Sequence, residues 1–304
     1  MLKPNEIPVQ PLSFPLFQEK KVSVSILRLD MVHPDLPGNK FFKLRYNLLD
    51  AQEKGFRRIL TFGGAYSNHI YATAAAGALY GLSTVGVIRG ELIRPLNPTL
   101  EAAEKFGMVL YPMERSVYLK KEQAQVLDEL CGRFGSPYFI PEGGTNALAI
   151  KGCKEILLPK LGVFTHVATC VGTGGTIAGI AASALAQQSV LGFSALKGEF
   201  MKESVRNLLE IHGIKPQCNL DVITDYHFGG YAKHTQELIT FIREFYRQTN
   251  IELDPIYTGK MVYGVFDKIR AGYFPPQSKI LIVHSGGLQG IKGFEARWGI
   301  TLYP

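Results

Sequence analysis

In this 304-residue chain, Val171-Gly172-Thr173-Gly174-Gly175-Thr176 follows a β-rich run and precedes a helix of small residues. Glycines let the backbone approach a ligand closely. The start of the following helix offers free N–H groups and the positive end of its dipole, which together suit a phosphate. The hydroxyls of Thr173 and Thr176 would add donors. A tight turn with no ligand would accept the same glycines, so the loop alone leaves both readings open. A Walker loop needs Lys-Ser/Thr after its glycines, where this chain has Ile177-Ala178. A dinucleotide fingerprint needs glycine at Ile177 and an acid about 20 positions on, where Phe193-Ser194-Ala195-Leu196 stand. What remains is a phosphate with a small body attached.

A second cluster, Gly63-Gly64-Ala65-Tyr66-Ser67-Asn68-His69, joins the run Ile59–Phe62 to an alanine-rich helix. Ser or Asn there is a helix cap in its own right. Ser, Asn and His together after two glycines could equally receive a carboxylate. Lys40, in Pro37-Gly38-Asn39-Lys40, stands at or just before the first turn of a helix containing Phe41, Phe42 and Leu44. The positive end of that helix opposes a lysine's charge and favours the neutral amine that attacks an aldehyde. A solvated surface lysine would also fit. With the phosphate loop, an aldehyde-bearing phosphate, pyridoxal 5′-phosphate, satisfies both features.

The elements that must position these residues alternate. β-rich runs lie at 22–29, 59–62, 84–88, 108–111, 166–169, 190–193 and 280–283, with helical segments at 68–80, 121–134 and 176–186 between some of them. Such alternation predicts parallel sheets with crossover helices, and ligands at the carboxyl ends of the strands. The length suffices for two lobes, and 46% apolar with 19% charged residues is the composition of a globular chain. No apolar run is long enough for a membrane span. Residues 1–10 lack a basic-then-apolar signal pattern, so the cytoplasm is expected. The net charge of +7 is spread out, without aromatic-interleaved basic runs, which argues against nucleic acid and for a mild attraction to anionic small molecules. Cys131, Cys153, Cys170 and Cys218 show no CxxC spacing and the histidines no HExxH, so neither disulfides nor a metal are expected.

Six segments now stand in order: Gly38–Leu44 (GNKFFKL), Gly63–His69 (GGAYSNH), Pro141–Asn146 (PEGGTN), Val171–Gly179 (VGTGGTIAG), Ile256–Lys260 (IYTGK) and His284–Gly287 (HSGG). With them the sequence resembles the fold type II, tryptophan-synthase-β-like pyridoxal phosphate enzymes. Within these it is similar to the group containing 1-aminocyclopropane-1-carboxylate deaminase and D-cysteine desulfhydrase. The resemblance implies an α/β fold of two lobes, each an open, mainly parallel twisted sheet flanked by helices. Residues 1–45 and 146–304 would form the larger, cofactor-binding lobe and 46–145 the smaller.

Residue by residue, the resemblance makes Lys40 the Schiff-base lysine and Lys43 a contact of the cofactor phosphate. Gly172, Thr173, Gly174, Gly175 and Thr176 become the phosphate cup. Asn68 would bond the cofactor's 3′-oxygen, and Ser67, Asn68 and His69 would lie where the substrate carboxylate is received. Tyr257 matches an active-site tyrosine. Tyr231 is the nearest match to a second, substrate-side tyrosine, although Gly229-Gly230-Tyr231-Ala232 departs from the Gly-Tyr-Gly of relatives. A homodimer acting on a small amino acid is the implied assembly.

Deaminases of this group have Glu after the tyrosine and Leu after the late histidine, where this chain has Thr258 and Ser285. A carboxylate beside the pyridine nitrogen makes the ring a strong electron sink, which opening a cyclopropane without an α-hydrogen requires. Hydroxyls at Thr258 and Ser285 give a weaker sink, adequate when a good leaving group sits on Cβ. The expectation is therefore α,β-elimination in the manner of D-cysteine desulfhydrase, with Lys40 or Ser67 as general base, giving pyruvate, ammonia and sulfide. The alternatives are the deaminase, another pyridoxal phosphate ammonia-lyase or racemase, and a non-catalytic protein that binds the cofactor.

Overall fold

Branched apolar residues pack well on a pleated surface, and the apolar runs of this chain become strands. The computed structural model describes residues 4–304. Residues 1–3, counted with the larger lobe on sequence grounds, lie outside the described residues. The strands are β1 (Val9–Leu12), β2 (Ser23–Arg28), β3 (Arg58–Gly63), β4 (Ser83–Arg89), β5 (Met108–Met113), β6 (Tyr138–Ile140), β7 (His166–Val171), β8 (Ser189–Ser194), β9 (Asn219–Ile223) and β10 (Lys279–His284). They form a six-stranded sheet in the order β1-β2-β10-β7-β8-β9 and a four-stranded sheet in the order β5-β4-β3-β6. Only β1 with β2 is antiparallel among the paired strands.

The helices, in chain order, begin with α1 (Pro15–Glu19), α2 (Asn39–Glu53), α3 (Asn68–Tyr80) and α4 (Pro98–Lys105). They continue with α5 (Arg115–Tyr118), α6 (Ala124–Phe134), α7 (Ala147–Cys153) and α8 (Gly175–Ser183). The last four are α9 (Phe200–Ile211), α10 (Gln236–Thr249), α11 (Thr258–Arg270) and α12 (Ile291–Trp298). Helix α2 runs unbroken through the 45/46 division expected between lobes. No helix among the described residues is long and apolar enough to cross a membrane.

Side chains alternate across a strand, and the larger sheet is covered on both faces accordingly. Leu281 and Val283 of β10 join one core cluster with Val167 and Val171 of β7, while Ile280 and Ile282 join the other with Ala168 and Cys170. This two-sided burial is the pattern of parallel sheets under crossover helices. Helices α2, α7 and α8 approach one another closely. A Cβ on Gly152 would fall 1.9 Å from the Phe42 carbonyl oxygen, and one on Gly179 2.3 Å from Cys153 Cβ.

The strands missed in the sequence have physical reasons. β1 carries Pro11, tolerated because it is an edge strand. β6 has three residues, and β9 is a half-exposed edge with Asp221 at its centre. The four cysteines carry no disulfide.

Candidate active site

Parallel strands deliver their carboxyl ends to one side, and here five ends converge. After β3 comes the Gly64–Ser67 turn, after β6 the Pro141–Asn146 loop, after β7 the glycine-threonine loop and after β10 Ser285-Gly286-Gly287. The end of β4 contributes Arg89 to the outer mouth. The cavity between them is lined by Lys40, Lys43, Ser67, Asn68, His69, Gly172, Thr173, Gly174, Thr176, Tyr231, Tyr257 and Ser285, all proposed from the sequence. Asn39, Gly143, Cys170, Gly286 and Gly287 complete the wall.

Lys40 sits in the first turn of α2, as its sequence context predicts. The turn is fixed by Gly38, whose φ of 76° is poorly accessible to other residues and whose Cβ would overlap the Ser285 carbonyl oxygen at 2.1 Å. Asn39 N donates to the same carbonyl (3.0 Å), so the lysine segment is pinned to the loop after β10. Lys40 Nζ donates to Asn39 Oδ1 (3.1 Å). Desolvation lowers its pKa to about 8 against an opposing pull from Asp254, so near neutral pH about a tenth of the amine is neutral, far more than for a free lysine.

Lys43, one turn on, is 2% exposed and donates to Gly143 O (2.8 Å), Thr145 Oγ1 (2.9 Å) and Thr173 Oγ1 (3.1 Å). Thr145 and Thr173 share a further bond of 2.6 Å, and Asn39 Nδ2 donates to Thr176 Oγ1 (2.7 Å). Burial, then the charge of Lys40, lowers Lys43 to about 7. Gly175 lies behind the lining, and a Cβ there would come within 3.0 Å of Thr145 Oγ1 and 3.1 Å of Lys43 Nζ. The cup is therefore a buried amine, protonated below about pH 7, ringed by two hydroxyls and a carbonyl near the start of α8, with no carboxylate among its hydrogen-bond partners.

Ser67 caps α3, its Oγ accepting from His69 N (3.2 Å) and Ile70 N (3.3 Å). The capping account suffices for that hydroxyl, though it also faces the cavity. Asn68 Oδ1 accepts from Gln289 Nε2, which ties α3 to the segment before α12. His69 is buried with Nε2 2.7 Å from Thr61 Oγ1. Because that hydroxyl donates to Ile140 O (2.9 Å), it accepts from Nε2–H, and Nδ1 is left a bare acceptor without a partner. Burial, reinforced by the charges of Lys40 and Lys43, holds this imidazole neutral.

Tyr257 and Tyr231 meet edge to face at 6.0 Å and share a hydrogen bond. Burial raises both phenols, Tyr257 well above its ordinary value, so both are neutral. Tyr257 lies over Gly172, where a Cβ would come within 3.2 Å of its ring. Lys260, buried in α11, donates to His227 O and Gly230 O (2.8 Å each) and so fixes the turn carrying Tyr231.

Thr258 does not line the cavity. Its buried hydroxyl donates to Asp254 Oδ2 (2.7 Å) and accepts from Asp254 N (2.8 Å). Asp254 also accepts from Ile256 N, Tyr257 N and Thr258 N at 2.8–2.9 Å, and its Oδ2 lies 3.1 Å from where a Gly287 Cβ would be. Sequence reasoning overlooked Asp254, Thr145, Asn39 and Lys260. The only available signal was their place within or beside the recognised motifs.

The glycine walls, the anion-free ammonium cup and an amine of depressed pKa in one cavity fit a phosphate-bearing aldehyde. The comparison with known proteins agrees. The family model for pyridoxal-phosphate dependent enzymes matches residues 7–286. The chain belongs to that family. A Pyrococcus abyssi protein, carrying a provisional name as a 1-aminocyclopropane-1-carboxylate deaminase, is 34% identical over 95% of this chain and 92% of its own length. A D-cysteine desulfhydrase of Klebsiella pneumoniae (strain 342) is 28% identical over 90% and 89%. An Arabidopsis thaliana mitochondrial protein named for both activities is 29% identical over 88% and 72%. Among solved structures, one of an ACC deaminase homologue superposes with a TM-score of 0.83 at 30% identity, covering 98% of this chain and 94% of that one. This pyridoxal phosphate enzyme thus has the tryptophan-synthase-β-like α/β fold that its motifs predict.

Proposed function

We propose that this enzyme catalyses α,β-elimination on a small amino acid, with D-cysteine the reference substrate: cysteine and water give pyruvate, ammonia and hydrogen sulfide. The observation carrying this reading is that Ser285, and no carboxylate, lines the inner cavity among the described residues. Asp254, the nearby carboxylate, has its oxygens committed to three backbone N–H groups and Thr258.

When bound, pyridoxal phosphate supplies a conjugated ring that accepts the electron pair left on the substrate's Cα. Lys40 Nζ would hold the cofactor aldehyde, and Lys43, Thr173, Gly174, Gly175 and Thr176 its phosphate. Ser285 would face its pyridine nitrogen, and Asn68 its 3′-oxygen. Free N–H groups and side chains of the Gly64–His69 segment would receive the substrate carboxylate. His69 supports this segment rather than meeting the substrate, since its ring is turned to Thr61 and its N–H is held by Ser67 Oγ. Nζ of Lys40 then takes the Cα proton, its depressed pKa placing it near the working pH where such transfer is efficient. Tyr231 and Tyr257, both neutral, would border the leaving group and offer it a phenol O–H hydrogen bond, the thiolate departing without needing their proton. Thr258 acts at one remove, through Asp254.

The second reading, deamination of 1-aminocyclopropane-1-carboxylate, is favoured by the names of several relatives. Supplying each compound in turn separates them. Sulfide and pyruvate from D-cysteine are expected; 2-oxobutanoate from the cyclopropane, with no sulfide from D-cysteine, would overturn elimination. Lys40→Ala should abolish visible absorbance near roughly 410–430 nm, and a retained band would remove Lys40 from its role. We also propose a cytoplasmic homodimer, supported by the prevalence of dimers among oligomers and checked by sedimentation.

A further inference from the structure

The inner cavity opens through Ser67, Gly143, Gly172, Thr173, Tyr231 and Tyr257 into a vestibule of about 740 Å³, far more than a thiomethyl group fills. Four cationic side chains border it: Arg89 and Arg115 from the four-stranded sheet's side, Lys233 and Arg297 from the other. None of the four forms an ion pair with a carboxylate among the described residues. The vestibule's one carboxylate, Glu142, is engaged by Lys121 at 3.2 Å.

Three of these cations rest on aromatic faces instead. Arg89 lies over Tyr118 (5.8 Å), Lys233 over Trp298 (5.8 Å), and Arg297 over Tyr66 (5.8 Å) and Trp298 (5.5 Å). A stacked guanidinium keeps its hydrogen-bonding edge free, the arrangement that takes a carboxylate or phosphate with two parallel bonds. Arg89 is also near the inner site, its Nη2 3.5 Å from the Cβ position of Gly64. Converging charges of one sign in a cleft focus their field on whatever enters.

We infer that the substrate carries a second negative charge at the far end of its side chain, received by Arg89 and Arg297 in the vestibule. The ligand class is an amino acid whose β-substituent ends in a carboxylate, phosphate or sulfonate. This rests on the elimination reading for its chemistry but concerns recognition, so the two can fail separately.

The test pairs two non-reacting ligands that lack the amino group: 3-(carboxymethylthio)propanoate and its distal monoamide. They share the inner carboxylate, so general attraction to it cancels. Binding to the holoenzyme is read from fluorescence of Trp298, the chain's single tryptophan and part of the vestibule wall. The dianion should bind at least about tenfold more tightly than the monoamide. That ratio should shrink between about 0.05 and 0.5 M salt and approach one in Arg89→Gln/Arg297→Gln. Equal wild-type affinities overturn the inference, whatever the variant does. In parallel, S-carboxymethyl-cysteine and S-carbamoylmethyl-cysteine, in both enantiomers, are assayed for pyruvate. Selective binding of the dianion without pyruvate from D-cysteine or either thioether removes elimination and keeps the vestibule. Pyruvate from D-cysteine with equal ligand affinities does the reverse.

Discussion

Lys43 and Asp254 are both buried ionisable groups beside one cavity, and the fold surrounds them differently. Asp254 is saturated: three backbone N–H groups and the Thr258 hydroxyl occupy its oxygens at the start of α11. Lys43 has only neutral oxygens around it, one carbonyl and two hydroxyls. A buried charge with its bonds made but no countercharge is stable only at a cost, which shows in the lowered pKa of Lys43. Hydroxyls can turn from accepting to donating, so Thr145 and Thr173 can serve an arriving anion together with Lys43. The saturated carboxylate has no bond left to offer, whereas the amine without a countercharge still has one to gain from an anion.

The strongest way to break this contrast is Asp254→Asn. An amide nitrogen would face a backbone donor, so a stability loss of about 2–4 kcal/mol is expected in urea unfolding of the cofactor-free protein. A loss below about 0.5 kcal/mol would mean the four bonds hold little together. For Lys43→Met the expected effect is on the ligand. Affinity for pyridoxal phosphate should fall about 10- to 100-fold, followed by visible absorbance as the stripped enzyme is titrated. Unchanged affinity would make Lys43 a structural cation.

A subtler measure sharpens the same contrast. Between the folded pKa values, about 7 for Lys43 and about 8 for Lys40, and the ordinary lysine value of 10.5, the unfolded chain holds protons that the folded chain has released. Stability of the cofactor-free protein should therefore rise with pH across that window, by up to roughly 1.4 kcal/mol per pH unit for each lysine. Lys43→Met should remove the part of the rise that begins near pH 7. A flat profile in the parent would show that neither amine is desolvated. The smallest effect is expected of Thr145→Val, about 1 kcal/mol or fivefold in cofactor affinity, because Thr173 and Gly143 still hold Lys43.

Much of the site was legible because its parts are local. A glycine-rich turn between strand and helix, a serine cap and a lysine in a first turn each depend on neighbours within a few residues. Thus Gly172–Thr176, Ser67 and Lys40 could be read directly, and the order of the motifs carried the cofactor. Thr258 shows the limit. Adjacent to Tyr257 in sequence, it lies on a helix turn whose side chain points to Asp254 rather than into the cavity. His69 likewise follows Ser67 and Asn68, but the rotation of α3 sends its ring to Thr61.

The amino-acid order by itself determined the α/β alternation, the glycine-rich turns after the strands, and the place of Lys40 in a first helical turn, since each follows from backbone freedom or periodicity along the chain. Tertiary structure alone decided that Lys43 meets oxygens 100 or more positions away and that cations from the sides of both sheets share one vestibule. Desolvation and field depend on distances through space, and those exist only once β3, β6, β7 and β10 bring their carboxyl ends together.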